Sequence, residues 1–161
     1  NSCGWVGFNV FSVIIPVYNR AAVLKRAVES VLEQEFKDFE IIIVNDGSTD
    51  HFLEVIHQYF KDDRITMLEQ ANQGVSSARN AGVAIAQYEY VAFLDADDFW
   101  DSSYLLKIYD AVNEFPDVGM CCVAGFFSNI NTEVKTKRLA KKYKGYVGSS
   151  IFLGGLYFNR K

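Results

Sequence analysis

FSVIIPV, residues Phe11 to Val17, is a β-branched run without regular polar alternation. A strand with one face in water alternates apolar and polar residues, so this one reads as buried on both faces, as strands of parallel sheets are. Beyond it the period changes. Leu24, Ala27, Val28, Val31 and Leu32 recur at helical spacing, with Lys25, Arg26, Glu29 and Glu33 on other faces, which predicts an amphipathic helix. FEIIIV, Phe39 to Val44, is a second core strand. It runs into NDGSTD, turn formers among which Ser48 or Asp50 could cap the next helix. That helix carries Phe52, Val55, Ile56, Tyr59 and Phe60. Ile65 to Leu68 is a short third strand, and Gly74 opens a helix of small residues that must pack close to its neighbours. Tyr90 to Leu94 is a fourth strand; Ser102 or Ser103 could cap a helix through Leu105, Leu106, Ile108, Tyr109 and Val112; Val118 to Ala124 is a further strand. Strands alternating with helices predict an α/β layered fold with a mainly parallel sheet and right-handed crossovers. The loops PVYNR, NDGSTD, Asn72 to Asn80 and DADD then gather at the carboxyl ends of the strands, around one crevice.

The 161 residues suffice for one domain with a full core and are too few for two ordinary ones. A formal net charge of −4 argues against a general nucleic-acid binder. Three cysteines form an odd set, and a bridge between the neighbours Cys121 and Cys122 would be strained, so reduced thiols are expected. There is no apolar run of membrane-spanning length and no signal-peptide plan at the amino terminus. These features predict a cytoplasmic location, with peripheral attachment to the inner face of a membrane left open. Lys135 to Lys144 is a basic segment, read as a solvated face ahead of a phosphate patch.

The chemistry concentrates in FLDADDFW, Phe93 to Trp100, which crowds Asp95, Asp97 and Asp98 behind an apolar strand. Like charges that close raise one another's pKa unless something positive sits among them. D-x-D spacing lets two carboxylates leave the backbone on one side and share Mg²⁺ or Mn²⁺, and Mg²⁺ typically takes one or two carboxylates plus substrate phosphates. A solvated helix-capping loop is the plainer alternative. Asp46, just past the second strand, could accept a uracil imide N–H or a ribose hydroxyl; an ordinary strand-to-helix turn is the alternative there. The aromatic residues Phe99, Trp100, Tyr104, Phe126 and Phe127 are mostly assigned to packing, and His51 and His57 to exposed or capping roles.

Together, and in this order, IPVYNR, IIIVNDGSTD, NQGVSSARNAG and VAFLDADDFW resemble the family 2 glycosyltransferases of the GT-A fold. These transfer a sugar with inversion from a nucleotide-diphosphate donor. The resemblance runs from about Phe11 to Val123 and implies a Rossmann-like layered α/β/α sandwich. It places Pro16, Val17 and Tyr18 at the nucleoside pocket, Asp46 at the base, and Gly74, Arg79 and Asn80 near the ribose and diphosphate. Asp95, Ala96 and Asp97 match the DxD, with Asp95 toward ribose or sugar and Asp97, with Asp95, at Mn²⁺ or Mg²⁺. The implied partners are a nucleotide-diphospho-sugar, UDP favoured by family frequency, and a saccharide or lipid-linked acceptor of the kind used in bacterial polysaccharide biosynthesis.

One departure stands out: Glu133 is the last acid, and Val134 to Lys161 contains neither Asp nor Glu, whereas the family's carboxylate base commonly follows a further strand beyond the DxD. The expectation is therefore one nucleotide-sugar-binding domain, residues 1–161, with an arm at 1–10, a core at 11–124 and the start of an acceptor region at 125–161, cut before the general base. No catalytic residue is assigned. A non-catalytic nucleotide-sugar-binding fragment is the alternative, and an aspartyl phosphatase of the haloacid dehalogenase type fits less well, because its DxD belongs on the first core strand.

Overall fold

The computed structural model describes residues 10–59, 61–114, 120–122 and 156–159, the last two segments as backbone strands. Residues 1–9, Phe60, Phe126, Phe127, the basic segment, the cysteine side chains and most of the expected acceptor region lie outside the described residues. The elements are β1 (Phe11–Val17), α1 (Ala21–Leu32), β2 (Phe39–Asn45), α2 (Phe52–Ile56), β3 (Ile65–Glu69), α3 (Val75–Ile85), β4 (Tyr90–Phe93), α4 (Tyr104–Glu114), β5 (Met120–Cys122) and β6 (Leu156–Asn159). The sheet runs β3-β2-β1-β4-β6-β5. Its first four strands are parallel, as expected, while β6 is antiparallel to both β4 and β5. The glycine-rich pattern around β6 had given no strand signal.

The pleat explains why β1 lacks polar alternation. Phe11, Val13, Ile15 and Val17 join a core with α1, α2 and α4, whereas Ile14 points to the opposite face, where α3 packs. Both faces are covered, giving an α/β/α sandwich. α3 lies close because Gly82 has no side chain: a Cβ there would sit 2.5 Å from Ile14 Cγ2. Ile14 is fully buried and β-branched, so it has little room to yield. Gly82→Ala is therefore expected to lose about 1 kcal/mol net, overpacking outweighing the gain in helix propensity, and thermal unfolding should show a Tm lower by roughly 2–4 °C.

The site is positioned by where the strand order reverses. The chain steps from β1 to β2 to β3 in one direction and then returns to the other side of β1 as β4, so the β1/β4 boundary is a topological switch point. Pairing of β1 with β4 ends at Ile14 and Phe93, followed by one bond from Leu94 N to Ile14 O at 3.0 Å. Pro16 faces the same side two residues on, past the last β4 partner, so its missing N–H leaves no ladder bond unmade. Beyond it the β1–β4 pairing has ended, and the loops that follow the two strands approach each other, with Arg20 3.7 Å from Asp97.

Two local expectations are corrected. The second helix tightens into a 3-10 turn over His57–Tyr59, although Tyr59 stays buried as its spacing predicts. Neither Ser102 nor Ser103 caps α4: the buried Gln34 side chain accepts from Leu105 N at 2.8 Å, and Asp101 Oδ1 accepts from Ser103 N at 3.1 Å.

Candidate functional site

Ser48 and Asp50 do not cap α2; they brace the loop after β1. Asn19 N donates to Ser48 Oγ at 3.0 Å, Thr49 N donates to Asn19 Oδ1 at 2.8 Å, and Ala21 N at the start of α1 donates to Asp50 Oδ2 at 2.9 Å. Asn19 has φ 50°, a left-handed conformation that Asn tolerates better than most residues. The NDGSTD segment thus holds the PVYNR loop in shape. Pro16 and Val17 are buried within β1, while Tyr18 remains 47% exposed at its end.

Asp46 is buried, and its carboxylate organises the β3–α3 loop. Oδ1 accepts from Gln70 Nε2 at 2.6 Å and from Gln73 N at 2.9 Å, and Oδ2 accepts from Gly74 N at 2.8 Å. Burial pushes this carboxyl up, but the bonds from Gln73, Gln70 and Gly74 together outweigh it and hold the group below the usual carboxylate range. Two glycines permit the arrangement. Gly74 takes φ 87° at the head of α3, and Gly47 takes φ 73° where a Cβ would meet Asn72 N at 2.9 Å. Because the folded-state pKa of Asp46 is depressed, its contribution is present above the ordinary carboxylate pKa of about 3.9 and is lost as pH falls below it. Asp46→Asn should therefore lower Tm at neutral pH, with the gap to wild type closing as melts are repeated toward about pH 3.

Arg79, on the second turn of α3, reaches the DxD loop: its Nη2 donates to Asp95 Oδ1 at 2.6 Å. Its Nε is buried without a partner among the described residues, and its guanidinium lies 5.8 Å from the Phe93 ring centroid. Asn80 follows on an exposed face of the helix. Asp97 is more open, with 57% of its side chain exposed; Arg20 Nε lies 3.7 Å from Oδ2, and Arg26 Nη2 donates to the Asp97 carbonyl at 2.8 Å. Ala96 is buried between the two acids. Burial pushes the Asp98 carboxyl up, the charges of Asp97 and Asp95 push it further, and Arg26 partly offsets them. The crowded acids are thus neighboured by arginines from the loop after β1, from α1 and from α3.

Among the described residues no group of three His, Cys, Asp or Glu side chains could by itself hold a metal ion. The donor chemistry nonetheless fits Mg²⁺ or Mn²⁺ held by one carboxylate plus substrate oxygens. Asp97 suits that role by its exposure and its loose ion pair; Asp95 has one oxygen committed to Arg79.

The DADD loop is bolted to the end of α1. Gln34 Nε2 donates to Ser30 O at 2.9 Å and to Asp101 O at 2.7 Å, and Trp100 N donates to Ser30 Oγ at 3.1 Å. Trp100 stacks on Tyr104 with centroids 4.3 Å apart, and both are buried as packing residues. Phe99 is 52% exposed, with the Arg26 guanidinium 4.7 Å above its ring. His51 is exposed at the start of α2 and makes no side-chain cap. The sequence reading missed Asn19, Arg20, Arg26, Gln34 and Gln70. For Gln34 a signal existed: an uncharged polar residue directly after an amphipathic helix.

These loops belong to an α/β sandwich in which the segments after β1 and β4 meet at the switch point, with arginines set against clustered carboxylates. The chain matches the glycosyl transferase family 2 model over residues 12–157 and belongs to that family. It is 49% identical over 111 residues to an uncharacterized glycosyltransferase of Nostoc sp., covering 68% of this chain and 34% of that protein. It is 41% identical over 115 residues to the uncharacterized glycosyltransferase YibD of Escherichia coli, covering 70% and 33%. The chain thus spans about a third of the length of these two relatives. Among solved structures it resembles Staphylococcus aureus TarS in complex with UDP-GlcNAc, with TM-score 0.69 and 26% identity over 78% of this chain and 36% of that one. It also resembles the Pyrobaculum calidifontis mannosyltransferase PcManGT in complex with GDP-Man and Mn²⁺, with TM-score 0.65 and 26% identity over 71% and 35%. The GT-A fold expected from the sequence is the fold of these neighbours.

Proposed function

We propose that this chain forms the donor-binding part of a metal-assisted, inverting glycosyltransferase that takes a nucleotide-diphospho-sugar, UDP-sugar in the first instance, and passes the sugar to a saccharide or lipid-linked acceptor. The observation that carries the reading is the pairing of Arg79 on α3 with Asp95 after β4 at 2.6 Å, which sets a guanidinium beside the DxD carboxylates. A guanidinium suits a diphosphate geometrically and electrostatically. Tyr18, with Pro16 and Val17 behind it, borders the nucleoside end. Asp46 uses three of about four acceptor positions on its own chain, leaving one at Oδ2 for a base N–H. Gly74 shapes the loop, Asn80 extends the α3 surface toward the ribose, and Asp95 faces ribose or sugar, while Ala96, whose side chain is buried in the core, offers only its backbone. A divalent ion bound at Asp97 would neutralise charge on the departing nucleoside diphosphate.

A second reading, favoured by the absence of Asp and Glu from Val134 to Lys161, is a chain that binds the donor without turning it over. Calorimetric titration with UDP, GDP and dTDP, each with and without Mn²⁺, tests donor binding. The expected result is Mn²⁺-dependent binding of UDP, and absence of binding by all three would contradict it. Robust sugar transfer by this chain alone would defeat the second reading. Phosphoester hydrolysis without nucleotide binding would instead support the phosphatase alternative.

A further inference from the structure

The geometry points to Gln70 as a positioning residue that ties the base end of the donor site to the helix carrying Arg79. Gln70 follows β3 directly, and its backbone N–H donates to Asn45 O at 3.0 Å, so its Cα is fixed relative to the end of β2. From there Nε2 donates to Asp46 Oδ1 at 2.6 Å, the shortest of the three bonds to that carboxylate, and lies 3.3 Å from Ser77 Oγ in the first turn of α3. One amide nitrogen therefore touches the buried acid next to the nucleoside loop and the turn immediately before Arg79. Charge-assisted bonds to a carboxylate are the stronger kind, and this one consumes an Oδ1 acceptor position that would otherwise compete for the base.

The remaining acceptor position at Oδ2 is best directed when Oδ1 is held by both of its donors, Gln70 Nε2 and Gln73 N. Without Gln70, the carboxylate keeps two backbone donors, Gln73 N and Gly74 N, both on the loop whose position is to be fixed. The Asp46 side chain and the loop could then turn together about the fixed Asp46 backbone, and the first turn of α3, ahead of Arg79, loses its tie through Ser77. The N–H of Asp46 donates to Val17 O at 2.8 Å and ties the acid's backbone to β1, and Gln70, itself held to Asn45 O, adds a side-chain tie from the end of β3. It would not itself need to touch the nucleotide.

This inference rests on the donor-site reading, and the test separates the two. UDP with Mn²⁺ is titrated into wild type, Gln70→Leu and Gln70→Glu, with melting curves as the folding control. Gln70→Leu keeps bulk and loses the donor, and its UDP affinity is expected to fall about tenfold at all pH values, appearing in the donor KM and not in kcat where turnover is measured. Gln70→Glu places a second carboxylate against Asp46. Both repel near neutral pH, and when one takes a proton an O–H···O bond is restored. Relative to wild type, its UDP affinity should therefore recover on going from about pH 8 to about pH 5. The other titratable groups around Gln70, namely Glu69, Asp50, Glu54 and His51 along the adjoining cleft, are present in wild type and cancel in that ratio.

A folded Gln70→Leu that binds UDP as wild type does would overturn the inference while leaving the donor site standing. Should Gln70→Leu not fold, the glutamate variant decides: no pH recovery relative to wild type overturns the positioning role. Wild type that binds no nucleotide would bring down both the donor-site reading and this inference.

Discussion

Asp97→Ala is expected to abolish Mn²⁺-dependent nucleotide binding, weakening it at least about a hundredfold, while Tm stays level or rises slightly. The loss follows because groups that merely orient a metal ligand already carry effects of about 10- to 100-fold, and a direct ligand carries no less. Stability is spared for a different reason. Asp97 is more than half exposed, and its ion pair with Arg20 at 3.7 Å is of the surface kind that contributes about 0–1 kcal/mol. Its charge also helps push the Asp98 carboxyl up, so removing it relieves repulsion. Asp95→Ala behaves differently, because it strips Arg79 of its partner at 2.6 Å and leaves a partly buried guanidinium unpaired. Titration of both variants with UDP, with and without Mn²⁺, beside melting curves, checks this. An Asp97→Ala protein with wild-type Mn²⁺ dependence would show that the metal is held elsewhere.

Gln34→Leu is expected to be the most destabilising single change near the site, costing about 3 kcal/mol or more and lowering Tm by roughly 6–12 °C. Gln34 is fully buried, and its amide makes three bonds, to Ser30 O, Asp101 O and Leu105 N. Leucine fills a similar space and satisfies none of them, leaving two carbonyls and a helix-terminal N–H with reduced or no pairing in the interior. The effect should extend to function, because Asp101 and Leu105 anchor the downstream end of the DADD loop. Urea unfolding measures the stability loss, and UDP titration below the new transition measures the loosening of the loop. A Gln34→Leu protein as stable as wild type would show that α4 is capped by other groups.

Much of this architecture was legible because burial on both faces leaves a direct trace in composition. β1 and β2 are β-branched runs with every residue buried, and their lengths follow from the sequence almost residue for residue. α3 was legible from its small residues, and Gly82 against Ile14 shows why they are small. β6 was not legible, because it pairs antiparallel with β4 and β5, which lie far from it in sequence. The loops that carry the proposed site residues Asp46, Asp95 and Asp97, and the helix that carries Arg79, were legible as an ordered set of motifs. The residues that brace these segments were not: Gln70 bonds Asp46 across 24 residues of chain, Gln34 bonds Asp101 and Leu105 across 67 and 71, and no local periodicity encodes such contacts. Ser48 and Asp50 show the converse error. Their residue types suit helix capping, and tertiary structure spends them instead on the loop 29 residues away.

If nucleotide and metal meet at the carboxyl ends of β1, β2, β3 and β4, Mn²⁺ in the presence of UDP will broaden backbone amide signals there by paramagnetic relaxation. Broadening is expected to centre on Asp95 to Asp98 and to extend to Tyr18, Gly47 and Gly74, while Glu40 and Gln87 at the opposite end of the sheet stay sharp. Broadening centred instead on the acidic cleft lined by Asp50, Glu54 and Glu69, or spread without a centre, would contradict it.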